Sequence, residues 1–293
     1  MKSYSFRLFI PLLGALLLGI MLIAPAQATP ERIVSADGAL TEIVHALGAA
    51  DRLVGVDTTS MYPPEMKTLP QIGYKRALSV EGILSLNPDM VLLTDDAGPE
   101  KVIMQLQRSG VKLQTLPEEP TLEAVRSKIL GVAGLLDKAD QGKALWQQID
   151  QELAAARSLS EQVESPVKVL FVLSLSDRSP LVAGRNTHAD TMIRLAGGIN
   201  VIDSFEGYKP ISPEAVAMTA ADVVLMMEQR NQATTAEHLF KQPGFAHLPA
   251  ARDQRLIKQD GLLMLGFGPR IGQAVRLLHN AFYPASAEAG HVR

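Results

Sequence analysis

Ser79-Val80-Glu81-Gly82-Ile83-Leu84, ending in Asp89-Met90-Val91-Leu92-Leu93, reads as a short helix followed by a strand. The chain repeats the unit as Ser212-Pro213-Glu214-Ala215-Val216-Ala217, ending in Asp222-Val223-Val224-Leu225-Met226. Ser, Glu and Asp match at a constant offset of 133 residues, as do Val91 with Val224 and Leu92 with Leu225. In each copy the serine can cap the helix, and the acid two residues on suits its positive end. A weaker echo pairs Ala46-Leu47-Gly48-Ala49 with Leu195-Ala196-Gly197-Gly198. A repeat this long indicates a duplicated lobe, not a solenoid. The bland alternative is chance likeness between two helix–strand units.

Outward from the first copy, short apolar strands alternate with helices. Strands are expected at 32–35, 53–56, 90–94 and 111–116, and helices at 40–47, 79–86 and 99–109. That order indicates βαβ units and parallel sheet. The alternation then stops. A helix is expected over 121–136 and a longer one from 138 to about 163. In the longer one Leu145, Ile149, Leu153, Ala156, Leu159 and Val163 form one apolar stripe. Pro166 follows, and strand pattern resumes at 167–173. The expected fold class is therefore α/β: two Rossmann-like lobes, 29–137 and 165–293, joined by a single long helix over 138–164. The alternative is that the long helix is an ordinary packing helix.

The 293 residues contain no cysteine, which excludes disulfides, thiolate metal sites, a cysteine nucleophile and lipid attachment through a lipobox-type cysteine. Hydrophobic residues are 47 % and charged residues 20 %, enough apolar surface for a sizeable core. The net charge of −3 gives no basic face for nucleic acid. Lys2 and Arg7 precede an apolar run from Leu8 to Ala24, followed by Ala26-Gln27-Ala28. These are the parts of a secretory signal peptide over 1–28, cleaved after Ala28; a membrane anchor is the rival reading. The expected location is the periplasm.

Ligands of such sheets sit beyond the carboxyl ends of the strands, so the segment before each repeated helix should rim an inter-lobe cleft. Those segments are Gly73-Tyr74-Lys75-Arg76 and Gly207-Tyr208-Lys209-Pro210. A tyrosine there can be a pocket wall, or it can hold a ferric ion as phenolate. A free phenol ionises near pH 10, so the second role needs a cation, and Arg76 lies two residues from Tyr74. Lys75, Lys209 and Arg230 could offer charge to carboxylates of a ligand.

Four blocks resemble the periplasmic haemin-binding proteins of bacterial haem ABC importers. They are 72–82 with Leu84-Ser85-Leu86, Ala183-Gly184-Arg185-Asn186-Thr187, Tyr208-Lys209-Pro210-Ile211-Ser212-Pro213-Glu214, and Leu265-Gly266-Phe267-Gly268-Pro269-Arg270. The Ser-x-Glu helix–strand unit is shared more widely, with vitamin B12 and siderophore binders. The resemblance implies the helical-backbone type of metal, haem or corrinoid binding protein, with little hinge motion. It implies haem b, as Fe(III) protoporphyrin IX, as transported ligand, with Tyr74 as axial iron ligand and Arg76 bonded to its phenolate. It implies that Glu81 and Glu214 dock onto an ABC permease dimer in the inner membrane, and that an outer-membrane haem receptor system lies upstream. Favourable charge near a helix start would account for both glutamates without any partner.

Some members use a second-lobe histidine for a second haem or a sixth ligand. The loop after strand 167–173 has none here, and His188 is the nearest candidate. One five-coordinate haem is therefore expected. A ferric-siderophore or corrinoid binder is the alternative, and an exported α/β enzyme a more distant one. The six histidines form no H-x-H or H-E-x-x-H pattern, so no zinc or manganese site is expected, and no Ser-His-Asp order or P-loop stands out. The resemblance implies a binder and not an enzyme. Gly266-Phe267-Gly268-Pro269-Arg270 reads as a loop entering a helix, either as an anion cradle or as a plain turn.

Overall fold

The computed structural model describes residues 30–175, 179–228 and 234–284. The proposed signal segment and Arg230 lie outside the described residues. The first lobe runs β1 (Ile33–Ser35), α1 (Gly38–Ala46), β2 (Leu53–Val56), α2 (Val80–Leu84), β3 (Met90–Thr94), α3 (Glu100–Arg108) and β4 (Lys112–Leu116). Its four strands are all parallel, in the order β2-β1-β3-β4. Every residue of β1 and β3 is buried, as a strand covered on both faces requires.

Two helices follow, α4 (Leu122–Leu135) and α5 (Ala139–Glu161). The second lobe then runs β5 (Lys168–Ser174), β6 (Leu181–Ala183), α6 (His188–Leu195), β7 (Ile199–Asn200), β8 (Tyr208–Pro210), α7 (Pro213–Met218), β9 (Val223–Glu228), α8 (Ala236–Leu239), α9 (Pro249–Arg252), β10 (Leu256–Asp260), α10 (Gly261–Leu265) and α11 (Ile271–Phe282). Its sheet has the path β10-β9-β5-β6-β8, with β7 also on β5. β10, β9, β5 and β7 are parallel, whereas β6 pairs antiparallel with both β5 and β8.

The two-lobe α/β fold expected from the sequence is borne out, and so is the repeat. α2 with β3 and α7 with β9 occupy matching positions 133 residues apart. Ser79 Oγ accepts from the Gly82 amide at 3.3 Å, and Ser212 Oγ from the Ala215 amide at 3.2 Å. The weaker echo also holds: α1 and α6 both end in a left-handed glycine, Gly48 (φ 65°) and Gly197 (φ 84°).

The long helix α5 has 23 residues, about 34 Å. Both earlier readings of it apply: it connects the lobes and it packs on each, against α4 on one side and α11 on the other. Gly142 makes the close crossing possible, since a Cβ there would meet the Ala133 methyl at 2.4 Å. Ile149, Leu153 and Ala156 are buried as the stripe predicts, but Leu159 is exposed where the last turn overhangs the surface. One apolar core runs unbroken from Ile33 and Leu92 in the first sheet, through Ile149 and Leu153, to Phe171 and Phe282 in the second lobe.

A polar seam reinforces that continuity. The Arg270 guanidinium donates to both carboxylate oxygens of Glu42, at 2.7 and 2.5 Å, across 228 residues of sequence. The Tyr62 ring lies 3.6 Å from the same guanidinium, so first-lobe groups grip a second-lobe cation in two ways. Gly38 lets the lobes approach there, because a Cβ would meet the Thr59 carbonyl oxygen at 2.5 Å and Leu262 at 2.7 Å. The Gly266–Arg270 segment is thus a turn that packs on α1, and its arginine is spent on Glu42.

The Glu42 side chain is 5 % exposed and the Arg270 side chain 19 %, so removing the carboxylate leaves a half-buried guanidinium only partly compensated by water. Glu42→Ala should cost about 2–4 kcal/mol, because a broken buried pair costs more than an intact one contributes. Urea unfolding at neutral pH measures it; a loss under about 0.5 kcal/mol would match a solvated surface pair instead.

Candidate functional site

A cleft of about 470 Å³ opens between the lobes. Its first-lobe wall includes Asp37, Thr59, Met61, Tyr74, Arg76 and Glu118; its second-lobe wall includes Leu173, His188, Tyr208, Met227, Leu262 and Leu265. Asp37, Glu118, Leu173 and Met227 lie at or just beyond the carboxyl ends of β1, β4, β5 and β9. This is the end at which open α/β sheets bind ligands. Both Gly-Tyr segments reach the cleft, and both turn on a left-handed glycine, Gly73 (φ 94°) and Gly207 (φ 76°).

The tyrosines sit in different surroundings. Tyr74 is 40 % exposed, and its hydroxyl oxygen accepts from Arg76 Nη1 at 3.0 Å. Arg76 Nη2 makes a very short ion pair with Asp96 Oδ2. Burial alone would lower the Arg76 pKa; Asp96 and Tyr74 together hold it above its ordinary value. Its charge is therefore permanent beside the Tyr74 oxygen. Tyr208 is instead enclosed, edge-on to Phe171 with ring centroids 6.3 Å apart. Burial pushes its hydroxyl up, against the opposing pull of the Ala189 backbone and the Thr187 side chain. It is a neutral wall.

The two lysines are placed differently from one another. Lys75 lines the cleft, but its ammonium is engaged from within, and the side chain is 8 % exposed. Its Nζ lies 2.9 Å from Asp37 Oδ2, 3.1 Å from Asp96 Oδ1 and 3.0 Å from Glu118 Oε1. Burial alone would lower its pKa, but the three carboxylates override that and hold it well above the ordinary lysine range. Lys209 does not join Tyr208 in the cleft. Successive strand residues face opposite ways, and Lys209 Nζ lies 5.1 Å from the Phe205 ring centroid, with Lys209 outside the cleft lining. Arg230 lies outside the described residues.

The buried carboxylates beneath Tyr74 are the part of the site that sequence reading missed. Asp37 caps α1, accepting from the Ala39 and Leu40 amides, while its other oxygen meets Lys75. Glu118 also holds the fully buried Lys128 at 3.0 Å, and Lys128 reaches the Gly266 carbonyl of the second lobe at 3.4 Å. Acidic residues just after apolar strands, as in Thr94-Asp95-Asp96 and Leu116-Pro117-Glu118, were the available signal.

His188 opens α6 from the Thr187 cap and packs edge-on against Phe267, with centroids 4.6 Å apart. Its Nε2 is buried and has no hydrogen-bond partner among the described residues, lying 4.0 Å from Glu118 Oε1. Burial, then the charges of Lys128 and Lys75, push its pKa down to about 4. Glu81 and Glu214 both stand exposed in the first turn of their helices, away from the cleft. A bond with Ser212 lowers the Glu214 pKa, so it stays ionised.

Residues 33–261 match a family model described as periplasmic binding protein. The chain belongs to the periplasmic binding protein family. The family is one of binders, not enzymes, and it places the protein outside the cytoplasm. The structure is similar to the periplasmic heme-binding protein RhuT from Roseiflexus sp. RS-1 in apo form, at 44 % identity and TM-score 0.83 over 86 % of this chain and 98 % of that one. It is similar to the periplasmic heme-binding protein BhuT in complex with two hemes, at 44 % identity and TM-score 0.81 over 86 % and 97 %. Curated relatives are more distant. The uncharacterized ABC transporter substrate-binding lipoprotein YvrC of Bacillus subtilis (strain 168) is 27 % identical over 87 % of this chain and 81 % of its own length. The vitamin B12-binding protein of Yersinia pestis (strain Pestoides F) is 27 % identical over 76 % and 78 %.

The binding protein's stability should carry the mark of its buried histidine. His188 takes a proton near pH 6.5 when unfolded but only near pH 4 when folded. Between those values the unfolded chain binds more protons, so stability falls as pH falls through the window and the term is intact above it. Relative to His188→Gln, the wild type should lose on the order of 3 kcal/mol across that window. Parallel urea titrations of the two proteins measure it; identical pH dependence would mean that His188 titrates normally.

Proposed function

We propose that the protein binds haem in the inter-lobe cleft and delivers it to an ABC importer of the inner membrane. The observation that carries this reading is the Tyr74 oxygen at the cleft wall with the Arg76 guanidinium 3.0 Å away. Phenolate is a hard oxygen donor suited to ferric haem, and the tyrosine ligand has precedent among haem proteins. A permanent cation beside it favours the charged oxygen. Similarity at 44 % identity to two heme-binding proteins supports the same ligand.

Tyr74 is the axial ligand to Fe(III) protoporphyrin IX in this reading. Arg76 stabilises its phenolate, and Tyr208 with Leu173, Met227 and Leu262 forms the apolar wall for the macrocycle. His188 turns Nε2 into the protein, which supports a single five-coordinate haem. Cleavage after Ala28 would release the mature chain into the periplasm. Glu81 and Glu214 stand at equivalent positions of the two lobes, one carboxylate for each subunit of a permease dimer.

Haemin titration of the mature protein should give a stoichiometric complex with a strong Soret band, whereas a ferric siderophore or a corrinoid should leave it unbound. Tyr74→Ala should weaken haemin binding by about 100-fold, equivalent to ~2.8 kcal/mol, and abolish the tyrosinate-to-iron charge-transfer absorption. A Tyr74→Ala complex with the wild-type spectrum and affinity would overturn the ligand assignment. The double variant Glu81→Ala/Glu214→Ala should bind haemin normally but fail to stimulate transport by the permease in vesicles; unimpaired transport would remove the docking role.

A further inference from the structure

Arg76 is a long side chain whose own surface is 57 % exposed. Left to itself, such a guanidinium would sample many rotamers, and fixing it costs conformational entropy. Yet it must lie against one oxygen to act on Tyr74. The structure shows what fixes it. Asp96 Oδ2 receives Arg76 Nη2, while Arg76 Nη1 points to the Tyr74 oxygen. Asp96 is held in turn: its Oδ1 accepts from Thr94 Oγ1 at 2.7 Å and faces Lys75 Nζ at 3.1 Å. Lys75 is itself clamped by Asp37 and Glu118. The chain of contacts thus runs from the buried ends of β1, β3 and β4 outward to the cleft, each member positioned by the one beneath it. Asp96 carries both attachments, to Lys75 inside and to Arg76 outside.

We infer that Asp96 is a positioning residue for the ligand-binding tyrosine: it does not touch the ligand but aims Arg76 at the Tyr74 oxygen. This rests on the reading of Tyr74 as the iron ligand. Outer-shell partners that orient ligand-bonding groups commonly change metal affinity by 10–100-fold when lost. A residue that works only through Arg76 must lose its effect once Arg76 is gone, which a generally stabilising residue would not do.

The test is a double-mutant cycle on haemin dissociation rate and on the tyrosinate-to-iron charge-transfer band, using Asp96→Ala, Arg76→Ala and the double variant. Asp96→Ala should speed haemin release about tenfold and shift the band toward that of Arg76→Ala. In the Arg76→Ala background the same change should alter release by less than about twofold. An Asp96→Ala protein with wild-type release and spectrum would overturn the inference, and so would an undiminished effect without Arg76. If Asp96→Ala does not unfold cooperatively, Asp96→Asn replaces it in the cycle, because the amide keeps an acceptor for Thr94. Tyr74→Ala, run alongside, separates the two levels. If it leaves the spectrum intact, the iron-ligand reading has failed; if it abolishes the band while Asp96→Ala does nothing, only the positioning role has.

Discussion

The Lys75 ammonium, enclosed by Asp37, Asp96 and Glu118, is the contact on which the site depends. A lysine that deeply buried is tolerable only because opposite charges and hydrogen bonds replace its lost water. Three carboxylates around one ammonium would leave an excess of negative charge. Lys128 on Glu118 and Arg76 on Asp96 bring cations and anions to three each. Arg76 thus completes the ion pairing of these carboxylates, and the pairing with Asp96 holds it at the rim of the cleft. Lys75 lies between Tyr74 and Arg76 in sequence, so anchoring it also anchors the turn that presents both.

The same cluster reaches across the cleft floor through Lys128 to the Gly266 carbonyl. With the Glu42–Arg270 pair and the continuous core along α5, it ties the lobes together at three levels. Ties of this kind oppose hinge motion between the lobes, and a preorganised cleft spends little binding free energy on closure.

The architecture was legible because its signals are local or periodic. The helix–strand repeat is written as Ser, Glu and Asp at fixed spacing, and the linker as an apolar stripe ended by Pro166. The rim of the cleft was also legible, since a duplicated fold puts Gly73-Tyr74 and Gly207-Tyr208 at equivalent places. The direction of the lysines was not. Lys209 follows Tyr208 on a strand, so pleating alone turns it away, and this became readable only once β8 was known to be a strand. Lys75 turns inward because Asp37, Asp96 and Glu118 converge from three strand ends that are distant in sequence. No spacing rule brings those carboxylates together; the sheet order β1-β3-β4 does.

Duplication also explains why two tyrosines at matching positions need not share one role. Each lobe contributes a Gly-Tyr corner; the first has the Arg76 guanidinium hydrogen-bonded to its phenol oxygen, and Arg76 acts on the Tyr208 hydroxyl less than burial does. Tyr208 has Phe171 and the start of α6 around it, and burial favours its neutral form. An oxygen that must become anionic to hold a ferric ion is suited to the first corner and opposed by the second. The second lobe has at the matching place Lys209-Pro210, with the lysine outside the cleft lining, so among the described residues no second-lobe cation is hydrogen-bonded to Tyr208 as Arg76 is to Tyr74. The asymmetry between the corners is thus set by one inward lysine and the arginine that follows it. Under the proposed reading, this gives a pseudo-symmetric cleft a ligating side and a packing side.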